Sequence, residues 1–113
     1  MTKLLKSLCV SADLEDFVKS SPICIVYFSA PGCGVCEVLR PKLMQMLETE
    51  FPLIARAQVD CAESRTLAAA QSVFSIPGVI VFTQGRESLR MMRSFGLADL
   101  AEQLTRPYSV LYG

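Results

Sequence analysis

Residues 23–29, ICIVYFS, constrain this chain more than any other stretch. The run is apolar without alternation and rich in β-branched and aromatic side chains, which predicts a strand buried on both faces. A strand covered on both sides needs helices on both sides of its sheet. Pro31 and Gly32 then turn the chain, and residues 34–50 carry Val35, Val38, Leu39, Leu43, Met46 and Leu47 at helical spacing. Pro41 falls inside that helix and is expected to kink it. Cys33 and Cys36 sit on the strand-to-helix turn, three residues apart. Such a pair exchanges electrons, holds half of a metal site, or is an inert staple.

The length of 113 residues fits one domain, 1–113. A domain of that size buries roughly two-thirds of its unfolded surface, so no cysteine is needed as a staple. Lysine plus arginine equals aspartate plus glutamate at 11 each, which removes the electrostatic case for a nucleic-acid or anionic-membrane partner. No apolar run approaches the ~20 residues of a membrane span, so a soluble protein is expected. In MTKLLKSLCV, Lys6 and Ser7 interrupt the leucines and Asp13 follows, which does not make a secretory leader. Bulky Leu8 before Cys9 argues against a lipidation site. Five cysteines is an odd count, and Cys9, Cys24 and Cys61 lack framework spacing, which suits the reducing cytoplasm. The absence of histidine excludes Cys–His nucleophilic pairs, Ser–His triads and mixed Cys/His zinc sites within the chain.

The remaining elements follow from period and punctuation. Residues 3–8 read as a short strand, and Ser11 as the cap of a helix with Leu14, Phe17 and Val18 that Ser20, Ser21 and Pro22 end. Residues 53–60 read as a strand, and 64–74 as an alanine-rich helix capped by Ser64. Pro77 and Gly78 make a turn, and strands at 79–83 and 88–95 form a hairpin around Gly85. Gly96 ends it, and Leu97, Leu100, Ala101 and Leu104 mark a closing amphipathic helix. The order is an α/β arrangement: a central mixed sheet of four to five strands with helices on both faces. The tail, 105–113, follows that helix with Pro107 and two tyrosines, and three readings stay open for it: docking on the sheet, pairing with a partner, or fraying.

At the start of a helix, Cys33 meets unpaired N–H groups and the positive end of the helix dipole, which favour a thiolate, and i,i+3 spacing brings Cys36 within disulfide reach. Lowering a cysteine pKa by ~1.5 units takes about 2 kcal/mol.

The surroundings carry a resemblance. FSAPGCGVCEVLRPKL, residues 28–43, resembles the active-site segment of the thioredoxin family, with Pro41 at the family's helix proline. SIPG, 75–78, resembles its Ile-Pro loop; ARAQVD ending at Asp60 its third strand; FTQGRE its glycine-turned hairpin; and FGLADLAEQL the start of its last helix. The likeness spans about residues 11–104 and implies a thioredoxin fold. It also implies a thiol–disulfide oxidoreductase that reduces protein disulfides with no cofactor and no metal, as a monomer served by a thioredoxin-reductase-type electron donor. Cys33 would then attack and Cys36 resolve. Pro77 would be cis, and Gly32, Gly34, Val35, Ile76 and Pro77 would contact the substrate, Ile76 through strand-like pairing.

Three positions depart from that pattern. Gly32 stands where the family usually has tryptophan, which thins the rim of the site. Val35 replaces a proline, so an amide N–H is regained near Cys33. Tyr27 takes the place of a buried aspartate that helps deprotonate the resolving cysteine, so release lacks its usual base. Arg56 matches the accompanying lysine and is expected to reach the surface or bond the Tyr27 hydroxyl. Asp60 is expected to cap the following turn. Cys61, on the same sheet edge as Cys33, has two readings: an inert buried residue, or a partner in a regulatory or intermolecular disulfide. Cys9 and Cys24 are read as lying on core strands, and Met44, Met46, Met91 and Met92 as filler. Two other classes stay open. A copper-chaperone-type site is disfavoured by Pro31 where a methionine is usual and by Pro77, while a redox-inactive thioredoxin-fold binding module fits the missing aspartate and tryptophan.

Overall fold

A computed structural model describes residues 5–113. In chain order the elements are β1 (Lys6–Ser7), α1 (Ser11–Lys19), β2 (Ile23–Ser29), α2 (Gly34–Glu50), β3 (Ala55–Asp60), α3 (Arg65–Ala70), β4 (Gly78–Thr83), β5 (Arg86–Met92) and α4 (Leu97–Tyr112). They form one five-stranded sheet in the order β1-β3-β2-β4-β5. β1, β3 and β2 run parallel, β4 pairs antiparallel with β2, and β5 pairs antiparallel with β4.

β2 is the central strand, and all seven of its residues are buried. Its alternation divides the core into two layers. Cys24, Val26 and Phe28 pack with Leu14 and Phe17 of α1 and Leu67 of α3. Ile23, Ile25 and Tyr27 face the other way, onto Leu43 and Leu47 of α2 and Leu100 and Leu104 of α4. The uninterrupted apolar run is thus the signature of a strand with a helical layer on each side.

Several expected boundaries move. Residues 3 and 4 of the first predicted strand lie outside the described residues; the observed strand is Lys6–Ser7, extended by the Leu8 amide on the Gln58 carbonyl at 2.9 Å. Ser11 does not cap α1. Asp13 does so from inside the helix, its Oδ2 accepting the Cys9 and Val10 amides at 2.9 and 3.0 Å. Ser64 stands at the N-cap of α3 without a side-chain bond, and that helix ends at Ala70 rather than 74. Residues 53 and 54 belong to a turn before β3, closed by the Ile54 amide on Phe51.

β5 runs over Arg86–Met92, not 88–95. Gln84 and Gly85 both have positive φ (55° and 81°), a two-residue turn that lets Thr83 pair with Arg86 at once. Cys9 is exposed and lies outside any strand, whereas Cys24 is buried on β2. The residues past 104 are helical: α4 continues through Pro107 to Tyr112. Tyr108 packs edge-on against Phe51 at 5.3 Å and its hydroxyl accepts the Leu53 amide at 3.3 Å. The Tyr112 hydroxyl accepts the Ile23 amide at 3.2 Å. No helix among the described residues is long and apolar enough to cross a membrane.

Candidate active site at the end of the central strand

β2 delivers the chain to the carboxyl edge of the sheet, where Ala30–Gly32 turn it into α2. Gly32 has φ +82°, a left-handed conformation that favours glycine over any residue with a side chain. Cys33 is the N-cap of α2, in an extended conformation, and Cys36 lies one turn inside the helix. The two are joined as a disulfide with Cα atoms 5.3 Å apart. Their surroundings differ: Cys33 is partly exposed, whereas Cys36 is fully buried at 0 %. The amide that reaches Cys33 Sγ is that of Cys36, at 3.2 Å, and not the Val35 amide expected from the lost proline. Val35 itself is exposed at the rim beside exposed Gly34.

The Ile76–Pro77 bond is cis. Because β4 runs antiparallel to β2 with Gly78 opposite Phe28, this loop lies beside the end of β2 from which the dithiol turn springs. Arg93 holds it from β5's far end, its amide donating to the Pro77 carbonyl at 2.8 Å and its Nε to Ser75 Oγ at 3.3 Å. Pro77 is buried and Ile76 half-buried.

Beneath the dithiol, Tyr27 is buried, and its hydroxyl donates to the Cys36 carbonyl at 2.8 Å. Burial pushes the phenol pKa up, with Arg40 pulling it back. The Arg40 guanidinium lies 5.6 Å above the Tyr27 ring, donates to Ser29 Oγ at 2.9 Å and pairs with Glu37 at 2.9 Å. Arg56 does neither of the things expected of it. Its register opposite Ile25 sets it two residues back along the sheet from Tyr27. There it is buried, paired with Glu48 at 3.2 Å and bonded to the carbonyls of Ile54 and Pro52. Burial lowers its pKa, and Glu48 opposes that shift.

Asp60 caps the turn after β3, its Oδ1 accepting the Ala62 and Glu63 amides at 2.9 and 3.2 Å. Cys61 follows it, half-buried, with its amide on the Ser29 carbonyl at 2.8 Å. Burial, and then the Asp60 charge, push its thiol pKa up. Cys61 shares a shallow groove with Ala30, Ile76 and the exposed ring of Phe74. The structure therefore gathers Tyr27, Cys33 and Cys36 at one point and sets Ile76 and Cys61 on an adjoining surface. Sequence reading missed Ser29, Arg40 and Arg93. For Arg40 the signal was its i,i+4 spacing from Cys36, which puts both on one helix face. Among the described residues no three His, Cys, Asp or Glu side chains gather into a metal-ligand set.

Comparison with known proteins agrees with this geometry. Residues 7–106 match the model of the thioredoxin family. The chain is 32% identical over 100 residues to the thioredoxin-like protein YdfQ of Bacillus subtilis, covering 88% of each chain. It is 37% identical over 87 residues to a thioredoxin of Chlamydia trachomatis, covering 75% of this chain and 81% of that one. The thioredoxin structure of Fasciola hepatica superimposes with a TM-score of 0.80 at 29% identity, over 90% of this chain and 98% of that one. With a Cys-x-x-Cys disulfide at the start of the helix after the central strand, the chain belongs to the thioredoxin family and is a thiol–disulfide oxidoreductase.

Proposed function

We propose that this chain acts as a one-domain, monomeric, cytoplasmic reductase of protein disulfides, with Cys33 as attacking thiol and Cys36 as resolving thiol. The observation that carries the reading is the asymmetry of the pair: Cys33 is partly exposed at the helix N-cap, and Cys36 is buried one turn behind it. In the reduced protein the Cys33 thiolate attacks one sulfur of a substrate disulfide, forming a mixed disulfide and expelling the other sulfur as a thiolate. Cys36 then attacks Cys33 Sγ, closes the internal disulfide and frees the second substrate sulfur. Two electrons pass from the dithiol to the substrate, and each expelled thiolate takes a proton from water. The dithiol carries both electrons itself, so the step needs no cofactor. Gly32, Gly34, Val35, Ile76 and Pro77 form the rim that a substrate chain would meet, with the Ile76 backbone available for strand-like pairing. A reductase of the thioredoxin-reductase type would restore the dithiol.

Cys33→Ser is expected to abolish reduction of a model protein disulfide, and Cys36→Ser to accumulate a covalent mixed disulfide visible by mass spectrometry. Equal activity in both variants with no trapped species would exclude this mechanism. Equilibration with glutathione tests direction: a potential near the ~−270 mV of thioredoxin supports a reductant, and one near the ~−120 mV of DsbA reverses the flow.

A further inference from the structure

Beside the buried Tyr27 ring under Cys36 lies a partly exposed cation, and among the described residues no carboxylate is hydrogen-bonded to the Cys36 thiol. Tyr27, whose phenol has a reference pKa of ~10, is no base at neutral pH. Arg40 lies one helical turn beyond Cys36 on the same face. Three contacts fix its guanidinium: Ser29 Oγ at 2.9 Å, Glu37 Oε2 at 2.9 Å and the Tyr27 ring at 5.6 Å. The other end of that ring donates to the Cys36 carbonyl at 2.8 Å, so a single phenol separates the cation from the turn that carries the resolving sulfur. Arg40 Nε is buried without a hydrogen-bond partner among the described residues. The fold keeps the cation there despite that unsatisfied donor, a pattern that calls for a functional reason.

We propose that Arg40 is a positioning residue for the release half of the exchange, a fixed cation that favours the thiolate of Cys36 where a carboxylate would otherwise draw off its proton. The proposal rests on the dithiol exchange described above. The Cys36 thiol gives its proton to water, and the thiolate attacks Cys33 Sγ in the mixed disulfide. The Cys33–Cys36 bond forms, the bond from Cys33 to the substrate sulfur breaks, and that sulfur leaves as a thiolate that water protonates.

The cation outweighs its counter-ion at this depth. Glu37 is the more exposed of the pair, 60% against 27% for Arg40. At the Tyr27 hydroxyl the Arg40 charge acts more strongly than that of Glu37. The titratable groups around the guanidinium are Glu37 on α2, Tyr27 on β2, Asp60 and Glu63 at the end of β3 and beyond, and Cys9 before α1. A fixed cation on that side of the phenol favours the thiolate over the thiol, and the carboxylates oppose part of its effect. A net effect of about one unit is expected.

The test is stopped-flow reaction of the reduced protein with dithiobis-nitrobenzoate across pH. Attack by Cys33 frees the first coloured thiolate, and resolution by Cys36 frees the second. Arg40→Gln should move the midpoint of the second phase up by about one pH unit and slow it about tenfold near neutrality. The first phase should change less than about twofold, since the Cys33 thiolate depends on the helix N-terminus. Arg40→Lys should restore the second phase, and Glu37→Gln, at an exposed position, should move its midpoint down. An unmoved midpoint in Arg40→Gln and Glu37→Gln, or equal slowing of both phases that lysine does not rescue, overturns the proposal. A missing first phase in the wild-type protein overturns the exchange reading itself, and the proposal with it.

Discussion

Tyr27 meets the turn carrying Cys36 with a hydroxyl, and that hydroxyl binds the backbone and not the sulfur. Its removal is therefore a structural change first. Tyr27→Phe strips one buried donor and leaves the Cys36 carbonyl without it, which should cost about 1 kcal/mol in urea unfolding. Attack by Cys33 should be unchanged; a large fall in the attack rate would show that the hydroxyl does more than brace the turn. The same residue shows what a linear reading reveals and conceals. That Tyr27 fills a buried strand position was legible, because the whole run around it is apolar. Its cationic neighbour was not, because a lone arginine in a helix normally reads as a solvated face. Arg56 was expected at the surface or at the Tyr27 hydroxyl and instead lies buried opposite Ile25, since strand register is set by pairing that no local pattern encodes.

At the scale of elements, α2 came through almost residue for residue because its capping cysteine and apolar period agree, and it runs on past Pro41. β5 did not, since Arg86, Glu87 and Ser88 are exposed and give no apolar signal until late in the strand. α4 was cut short on paper by Pro107, yet tertiary contacts outweigh that proline. Tyr108 and Tyr112 are those contacts, tying the helix end to the backbone of Leu53 and Ile23. Replacing both by leucine removes the acceptor of the part-buried Ile23 amide and of the exposed Leu53 amide and should lower stability by about 1–2 kcal/mol. Calorimetry should show a lower Tm with an unaltered rate of Cys33 alkylation, because this lock sits at the far end of β2 from the dithiol. A fall in that rate would mean that the helix end and the active site are coupled.

The whole molecule carries its burial-shifted acids in both layers of the core: Cys24 on one face of β2, Tyr27 on the other, and Cys61 at the sheet edge. Burial is the largest cause in each, and all three pKa values are raised. A group whose folded pKa lies above its unfolded value adds stability that is complete below the unfolded value and lost as pH rises through the folded one. With unfolded references of ~8.5 for cysteine and ~10 for tyrosine, stability of the oxidised protein, in which Cys33 and Cys36 do not titrate, should be flat across neutral pH and decline on the alkaline side above about 8.5. Cys61→Ala should soften the first part of that decline in denaturant titrations; an unchanged alkaline limb would show that Cys61 ionises freely in the folded state. The layered core was legible as a class, from one buried run and the order of elements. The pairing of β4 between β2 and β5, which brings Pro77 to the dithiol, is a long-range fact that only the folded sheet displays.

The disulfide spans three residues of a single helical turn. In the chain-entropy view, a loop that short restrains the unfolded state by only about 2 kcal/mol, against ~4.7 kcal/mol for a 100-residue loop. Opening and closing the bond therefore moves the folding equilibrium by about thirtyfold, roughly a hundredfold less than a bond closing a 100-residue loop would. The scaffold is charged and discharged at a modest and repeated cost in stability, which suits a shuttle better than a long-range staple would.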